Sequence, residues 1–144
     1  MKVQSWKKGE YTCTTEKSTL QIDVIHDFLS NRSYWAKGRT KEQVECSMMH
    51  SLCFGVYEGK KQVGFARVVS DFTIYAYIMD VFVLEDARGN GLGKFIMNCI
   101  MSHPELTGIR RWMLGTEDAH GLYTQYGFSP LQKVANHMEK VAIS

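Results

Sequence analysis

Tyr123, Asp80 and the string Arg88-Gly-Asn-Gly-Leu-Gly-Lys94 are the residues of this chain best suited to chemistry. Closely spaced glycines let backbone N–H groups approach an anion, and a helix starting there adds the positive end of its dipole. A tyrosine phenol, with an ordinary pKa of about 10, is protonated at neutral pH and can donate to a departing anion. A carboxylate inside an apolar strand can be pushed by burial into the range of a useful base. Asp80 has that setting, because Val81, Phe82 and Val83 follow it; a structural hydrogen-bonding role fits the same pattern equally well.

The elements around the glycine string decide which anion it suits. The apolar run Val81 to Val83 feeds the turn, and Leu92, Phe95, Ile96, Cys99 and Ile100 follow it at helical spacing. A Walker loop needs four residues between its first glycine and a Gly-Lys pair, then Ser or Thr for magnesium. Here three residues separate Gly89 from Gly93-Lys94, and Phe95 stands where the hydroxyl belongs. A dinucleotide fingerprint needs G-x-G-x-x-G and an acidic residue about 20 positions on. The chain instead has Gly89, Gly91 and Gly93 in alternation, with Arg110 and Arg111 at that distance.

The remaining pattern, R/Q-x-x-G-x-G/A after a strand, is met by Arg88, Gly91 and Gly93. Downstream, Ala119-His-Gly-Leu-Tyr-Thr-Gln-Tyr-Gly-Phe128 fits A-x-x-L-Y-x-x-x-G-F. On these two motifs the second half of the chain resembles the GCN5-related N-acetyltransferase family; the first half is compatible in pattern without a diagnostic string. The resemblance implies an α/β fold with a mixed, partly antiparallel sheet in the order β-α-α-β-β-β-α-β-α-β, and acetyl-CoA as acyl donor. It implies that Arg88, Gly89, Asn90, Gly91, Leu92, Gly93 and Lys94 hold the pyrophosphate, mostly through main-chain amides. The backbone of Val81, Phe82 and Val83 would bond the pantetheine arm and face the acetyl carbonyl. Tyr123 would be the general acid for the leaving thiolate, with Tyr126 a packing residue. Thr116 stands where the family often has Asn; its hydroxyl can still bond the pantetheine amide. The acceptor pocket would be lined by the first two helices, their connection and the last strands. That places Tyr34 and Trp35 either as an aromatic wall against substrate or as loop packing. Asp80, Asp118, His120 and water remain open as proton acceptors.

Composition narrows the alternatives. The chain has 144 residues, 44% of them hydrophobic, enough for one domain over 1–144 with a real core. A net charge of +2, without basic blocks interleaved with aromatics, argues against a nucleic-acid partner. No apolar run approaches membrane-spanning length and the start lacks a signal-peptide core, which points to a cytoplasmic protein without a membrane partner. Cys13, Cys46, Cys53 and Cys99 form no C-x-x-C pair and read as reduced thiols, and the five histidines lack ligand spacing, so no metal is expected.

The pattern of elements agrees. Tyr11 to Thr15 reads as a first strand and Asp23 as the N-cap of a short helix through Leu29. Thr40-Lys-Glu-Gln43 is a capping box opening a second helix. Leu52 to Tyr57 and Gln62 to Ser70 form a hairpin, followed by a strand over Ile74 to Leu84. The helix after the glycine turn should stop near His103-Pro104. Arg111 to Gly115 is then a strand, Ala119 to Tyr126 a helix, and Phe128 leads into a last short strand. The function expected is acetyl transfer to a primary amine of a small molecule or protein; a non-catalytic acyl-CoA-binding module on the same fold is the alternative. Family members often dimerise, so a homodimer is an option that no motif singles out.

Overall fold

The sheet begins with a polar hairpin that the sequence pattern does not announce. In the computed structural model, which describes residues 1–142, β1 (Ser5–Lys8) pairs antiparallel with β2 (Tyr11–Thr14). Only Trp6 of β1 turns inward, against Phe54 at 5.9 Å between ring centroids; such an edge strand lacks the apolar alternation that would reveal it. Next come α1 (Ile22–Asp27), a π turn over Phe28–Arg32, and α2 (Lys41–Met49). α1 starts two residues earlier than an N-cap at Asp23 predicts: Gln21 is the N-cap, and Asp23 sits in the first turn and pairs with Lys41 at 3.0 Å. The capping box of α2 forms as the spacing predicts. Thr40 Oγ1 accepts from the Gln43 amide at 3.1 Å, and Gln43 Oε1 accepts from the Thr40 amide at 2.9 Å.

β3 (Leu52–Glu58), β4 (Lys61–Ser70) and β5 (Tyr75–Val83) then form an antiparallel meander. α3 (Leu92–Ser102) crosses over to β6 (Arg111–Leu114), which pairs parallel to β5, and α4 (His120–Thr124) follows. The order of the mixed sheet is β1-β2-β3-β4-β5-β6. α3 ends ahead of Pro104, as expected of a residue that cannot continue a helix.

Helices cover both faces, so β3 and β4 are almost continuously buried rather than alternating. On one face Phe95, Ile96, Met97 and Ile100 of α3 pack on Phe54, Val56, Ala66, Val68, Ala76 and Ile78. On the other, Ile25, Phe28, Leu29 and Val44 pack on Cys53, Phe65 and Phe82, with Phe28 stacked on Phe82 at 4.2 Å. Cys13, Cys53 and Cys99 are buried and Cys46 is exposed, all as free thiols. The strand expected after Phe128 does not form among the described residues. That segment holds a 3-10 turn at Val134–Asn136 and is mostly exposed, because Ser129-Pro130 is followed by too few inward-facing apolar residues to bury a strand. No helix of the described residues is long and apolar enough to cross a membrane.

Candidate active site

A β-bulge creates the site. Phe65 pairs with Phe82 and Arg67 with Met79, so Asp80 and Val81 together oppose Ala66 alone. Asp80 adopts a left-handed φ of +56°, uncommon for a residue with a side chain. The bulge reverses the facing of the strand. Ala76 and Ile78 point into the core beneath α3; beyond the bulge Val81 and Val83 lean on that core, while Phe82 enters the opposite one. β6 pairs only with Tyr75 to Ile78, so β5 from Met79 to Val83 turns an unpaired main-chain edge into a slot. Val81, Phe82 and Val83 occupy that edge, and their side chains belong to the cores. The Leu84 N–H bonds the Val63 carbonyl of β4, so by alternation Val81 and Val83 turn their backbone groups to the open side and Phe82 turns its own to β4.

The glycine turn lies beyond the C-terminal end of this edge. Arg88 Nε donates to the Val83 carbonyl at 3.1 Å, folding the turn back on β5. Gly89 and Gly91 take φ of +85° and +72°, and Asn90 Nδ2 donates to the Ala87 carbonyl at 2.9 Å. Gly91 is the N-cap of α3, where a left-handed residue comes without steric cost only as glycine. Gly93 lies against α4: a Cβ there would stand 3.4 Å from Leu122 Cδ2, at the edge of ordinary contact. Among the described residues, no amide from Gly89 to Lys94 donates to a backbone or side-chain acceptor. The turn therefore presents open donors at the start of an eleven-residue helix, a fit for phosphate oxygens. Lys8 of β1 completes it, its Nζ donating to the Asn90 carbonyl at 3.0 Å. Nothing in the sequence signals Lys8, 82 positions away.

Asp80 is the hub of a buried ion-pair cluster. Its carboxylate, 1% exposed, accepts from Arg39 Nη1 at 2.8 Å and Arg67 Nε at 2.9 Å on Oδ2, and from Trp35 Nε1 at 2.9 Å on Oδ1. Arg67 also donates to Ser51 Oγ at 2.9 Å and to Met79 Sδ at 3.4 Å. Both guanidiniums thus converge on Oδ2, and Oδ1 takes the indole N–H. Arg39 and Arg67 were not singled out by sequence. Arg67 had a signal, a lone charge in an apolar strand; Arg39, in a polar loop, had none.

Across the slot, α4 carries Tyr123, 8% exposed against the apolar core. Burial, then the nearby Tyr34 and Asp118, push its phenol up to about 12, so it stays protonated throughout the neutral range. Tyr126 helps to fix this segment, its hydroxyl donating to Asn98 Oδ1 of α3 at 2.8 Å. Thr116 Oγ1 accepts from the Ala119 amide at 3.1 Å and so shapes the entry to α4. Tyr34 Oη accepts from the Glu117 amide at 2.8 Å, tying the loop between α1 and α2 to the loop after β6. Tyr34 and Trp35 meet edge to face at 5.0 Å and 77°.

These segments enclose a cavity of about 480 Å³. Tyr34, Trp35, Asp80, Val81, Thr116, Asp118 and Tyr123, all singled out in the sequence, line it, joined by Arg39 and Glu117. The residues Arg88 to Lys94 do not line it; they belong to the neighbouring turn. Two larger clefts, of about 810 and 530 Å³, contain none of the turn, Asp80 or Tyr123. His120 lines a smaller hollow of about 270 Å³ on the other side of Tyr123.

Comparison with known proteins follows the same division of the chain. The family model of the GNAT acetyltransferase domain matches residues 49–130, β3 through the segment after α4. A structure of a GNAT-family protein from Xanthomonas campestris pv. campestris is 45% identical, with a TM-score of 0.90 over 92% of this chain and 93% of that one. FG08082 of Gibberella zeae, provisionally named an acetyltransferase, is 28% identical over 85% of this chain and 80% of its own length. A GNAT family acetyltransferase from Elizabethkingia anophelis, solved with acetyl-CoA bound, shares the fold at a TM-score of 0.64 and 16% identity, covering 94% of this chain and 90% of that one.

Proposed function

The chain belongs to the GNAT acetyltransferase family, and on that footing we propose that it transfers the acetyl group of acetyl-CoA to a primary amine by direct attack on the thioester. The observation that carries this reading is the convergence of an unpaired strand edge, an open-amide turn and a protonated tyrosine around one slot. A relative of the same fold holds acetyl-CoA, and the turn here has the donors, the left-handed glycines and the Lys8 cation to seat its pyrophosphate.

Gly89 to Lys94 bind the phosphates, with Lys8 beside them. The β5 edge at Val81 to Val83 holds the pantetheine and aims amides at the thioester carbonyl, where one such donor contributes about 2.7–4 kcal/mol to lowering the barrier. The acceptor enters as an ammonium and must first lose a proton to the open cavity, whose carboxylates without hydrogen-bond partners among the described residues are Glu117 and Asp118. Its lone pair forms the new C–N bond as the C–S bond breaks. Tyr123 gives its proton to the departing sulfur and recovers one as the amide nitrogen sheds its second, so one proton is released per turnover. Asp80 acts here by position: its clamp on Arg39, Arg67 and Trp35 holds the left-handed bulge residue that sets the angle of the β5 edge.

Calorimetric titration with acetyl-CoA tests the donor site. Wild type should bind, and Gly91→Trp should not. Tyr123→Phe should keep that affinity while kcat, followed by thiol release with an amine acceptor, falls by about 100-fold or more. Full turnover in Tyr123→Phe would remove the tyrosine from the chemistry, and no binding to wild type would reduce the turn to a strand-to-helix connection.

A further inference from the structure

The acceptor cavity has two oppositely charged ends. At the β5 wall two guanidiniums, Arg39 and Arg67, share the single carboxylate of Asp80, and among the described residues no second carboxylate lies within 4.0 Å of either. That end therefore carries an excess positive charge. Arg67 is spent, bonded to Asp80, Ser51 and Met79. Arg39 is not: only its Nη1 donates, to Asp80, while Nε and Nη2 have no acceptor among the described residues. Its side chain is 21% exposed and lines the cavity, and its carbonyl is pinned by the His26 ring at 3.1 Å. A guanidinium fixed at its backbone and at one nitrogen, with its remaining donors open, is a preorganised partner for a carboxylate.

The other end is negative. Glu117 and Asp118 line the cavity on the Tyr123 side, and neither side chain is ion-paired among the described residues. Asp118 is close enough to Tyr123 for its charge to raise that phenol. The bond from the Glu117 amide to Tyr34 Oη fixes the backbone that presents both carboxylates. Trp35, bonded to Asp80, and Tyr34, bonded to the Glu117 amide, link the two ends, and Tyr77 also lines the cavity. A volume of about 480 Å³ falls in the small-molecule range of roughly 300–1,000 Å³.

Taking acetyl transfer as the reaction, we infer that the acceptor is a small zwitterion, an amino acid whose carboxylate is held by Arg39 and whose amine is directed toward Tyr123 by Glu117 and Asp118. A plain amine would satisfy one end and leave the guanidinium without an anion. A carboxylate lacking an amine would have nothing to acetylate. The polarity orients the molecule: nitrogen toward the thioester slot, carboxylate toward Asp80's clamp, side chain along the aromatic wall. The step is the one written above, with the amino acid's nitrogen forming the C–N bond, sulfur leaving with the Tyr123 proton, and one proton released.

Matched trios decide it: an amino acid, its methyl ester and its decarboxylated amine, drawn from panels of α-, β- and ω-amino acids, assayed by thiol release with acetyl-CoA. The free amino acid of at least one trio should exceed both partners in kcat/KM by about tenfold or more, as expected for one charge-assisted contact. Arg39→Gln should cost the free amino acid about tenfold more in kcat/KM than its methyl ester, so that the preference for the amino acid disappears on top of whatever loss the weakened Asp80 clamp brings to both. If that variant does not fold, the wild-type trios still decide, and Asp118→Asn should lower kcat/KM for the amino acid from the opposite end. Ester or amine turned over as well as the amino acid, or acetyl-CoA bound with no amino acid acetylated, would overturn the acceptor assignment alone. Loss of calorimetric acetyl-CoA binding in wild type would overturn acetyl transfer itself, and the acceptor with it.

Discussion

The glycine turn and the Asp80 cluster flank the same length of β5 and are built in opposite ways. The turn is a continuous stretch, Arg88 to Lys94, that works through main-chain amides and leaves them exposed. The cluster draws Trp35, Arg39, Arg67 and Asp80 from a loop and two strands, works through side chains, and buries Asp80 and Arg67 while Arg39 and Trp35 stay partly exposed. A backbone device tolerates changes of side chain wherever φ and space allow. A side-chain device fails when any member is lost, because the others are left charged and out of water. The same strand thus has one end where substitutions should act on ligand affinity and another where they should act on folding first.

Asp80→Ala is the strongest challenge to that contrast. Removing the common acceptor leaves two guanidiniums and an indole without their partner, and breaking a buried pair in this way costs about 3–5 kcal/mol. Urea unfolding should register that loss; a change under about 1 kcal/mol would mean the cluster is solvated and the contrast is false. Gly91→Ala should cost less, about 1–2 kcal/mol for a side chain held in the left-handed region, since the nearest atoms to its Cβ would be those of Lys8, at 3.6 and 3.7 Å. Its larger effect should be on acetyl-CoA affinity, seen by calorimetry. Equal losses of stability in the two variants would erase the distinction.

The smallest effect expected is a flat stretch in a pH profile. Burial raises the Tyr123 phenol to about 12, so its protonated form, and the stability that form contributes, are fully present below the ordinary value of about 10. Both are lost as pH rises toward 12. Short assays of kcat should show no descending limb from this group between pH 8 and about 10. A limb there that persists in Tyr123→Phe would belong to another group.

Legibility followed the same divide. The turn, its strand and its helix could be read because their residues are neighbours and their glycine spacing excludes other anion loops. The capping box of α2 and the β3–β4 hairpin were legible for the same local reason. β1 was missed because an edge strand of Ser, Trp and two lysines turns only Trp6 inward, too little alternation to betray it. The strand expected after Phe128 failed because periodicity there was too short to bind a segment to a sheet edge. Asp80 was visible as an anomaly in an apolar strand. Its partners were not, since Arg39 lies 41 positions away in a polar loop.

By itself the sequence determined the order of the central strands and helices, the glycine-rich turn that opens α3 and the tyrosine on α4. Each of these is specified by contacts or spacings within about one element's length. The tertiary structure alone decided that Asp80 sits left-handed at a bulge, that Arg39, Arg67 and Trp35 converge on its carboxylate, and that Lys8 reaches Asn90. It also placed Arg39, Glu117 and Asp118 on the walls of one cavity. Those features depend on which distant segments share a small buried volume, and the cost of an unpaired buried charge selects the partners only after the sheet has brought them together.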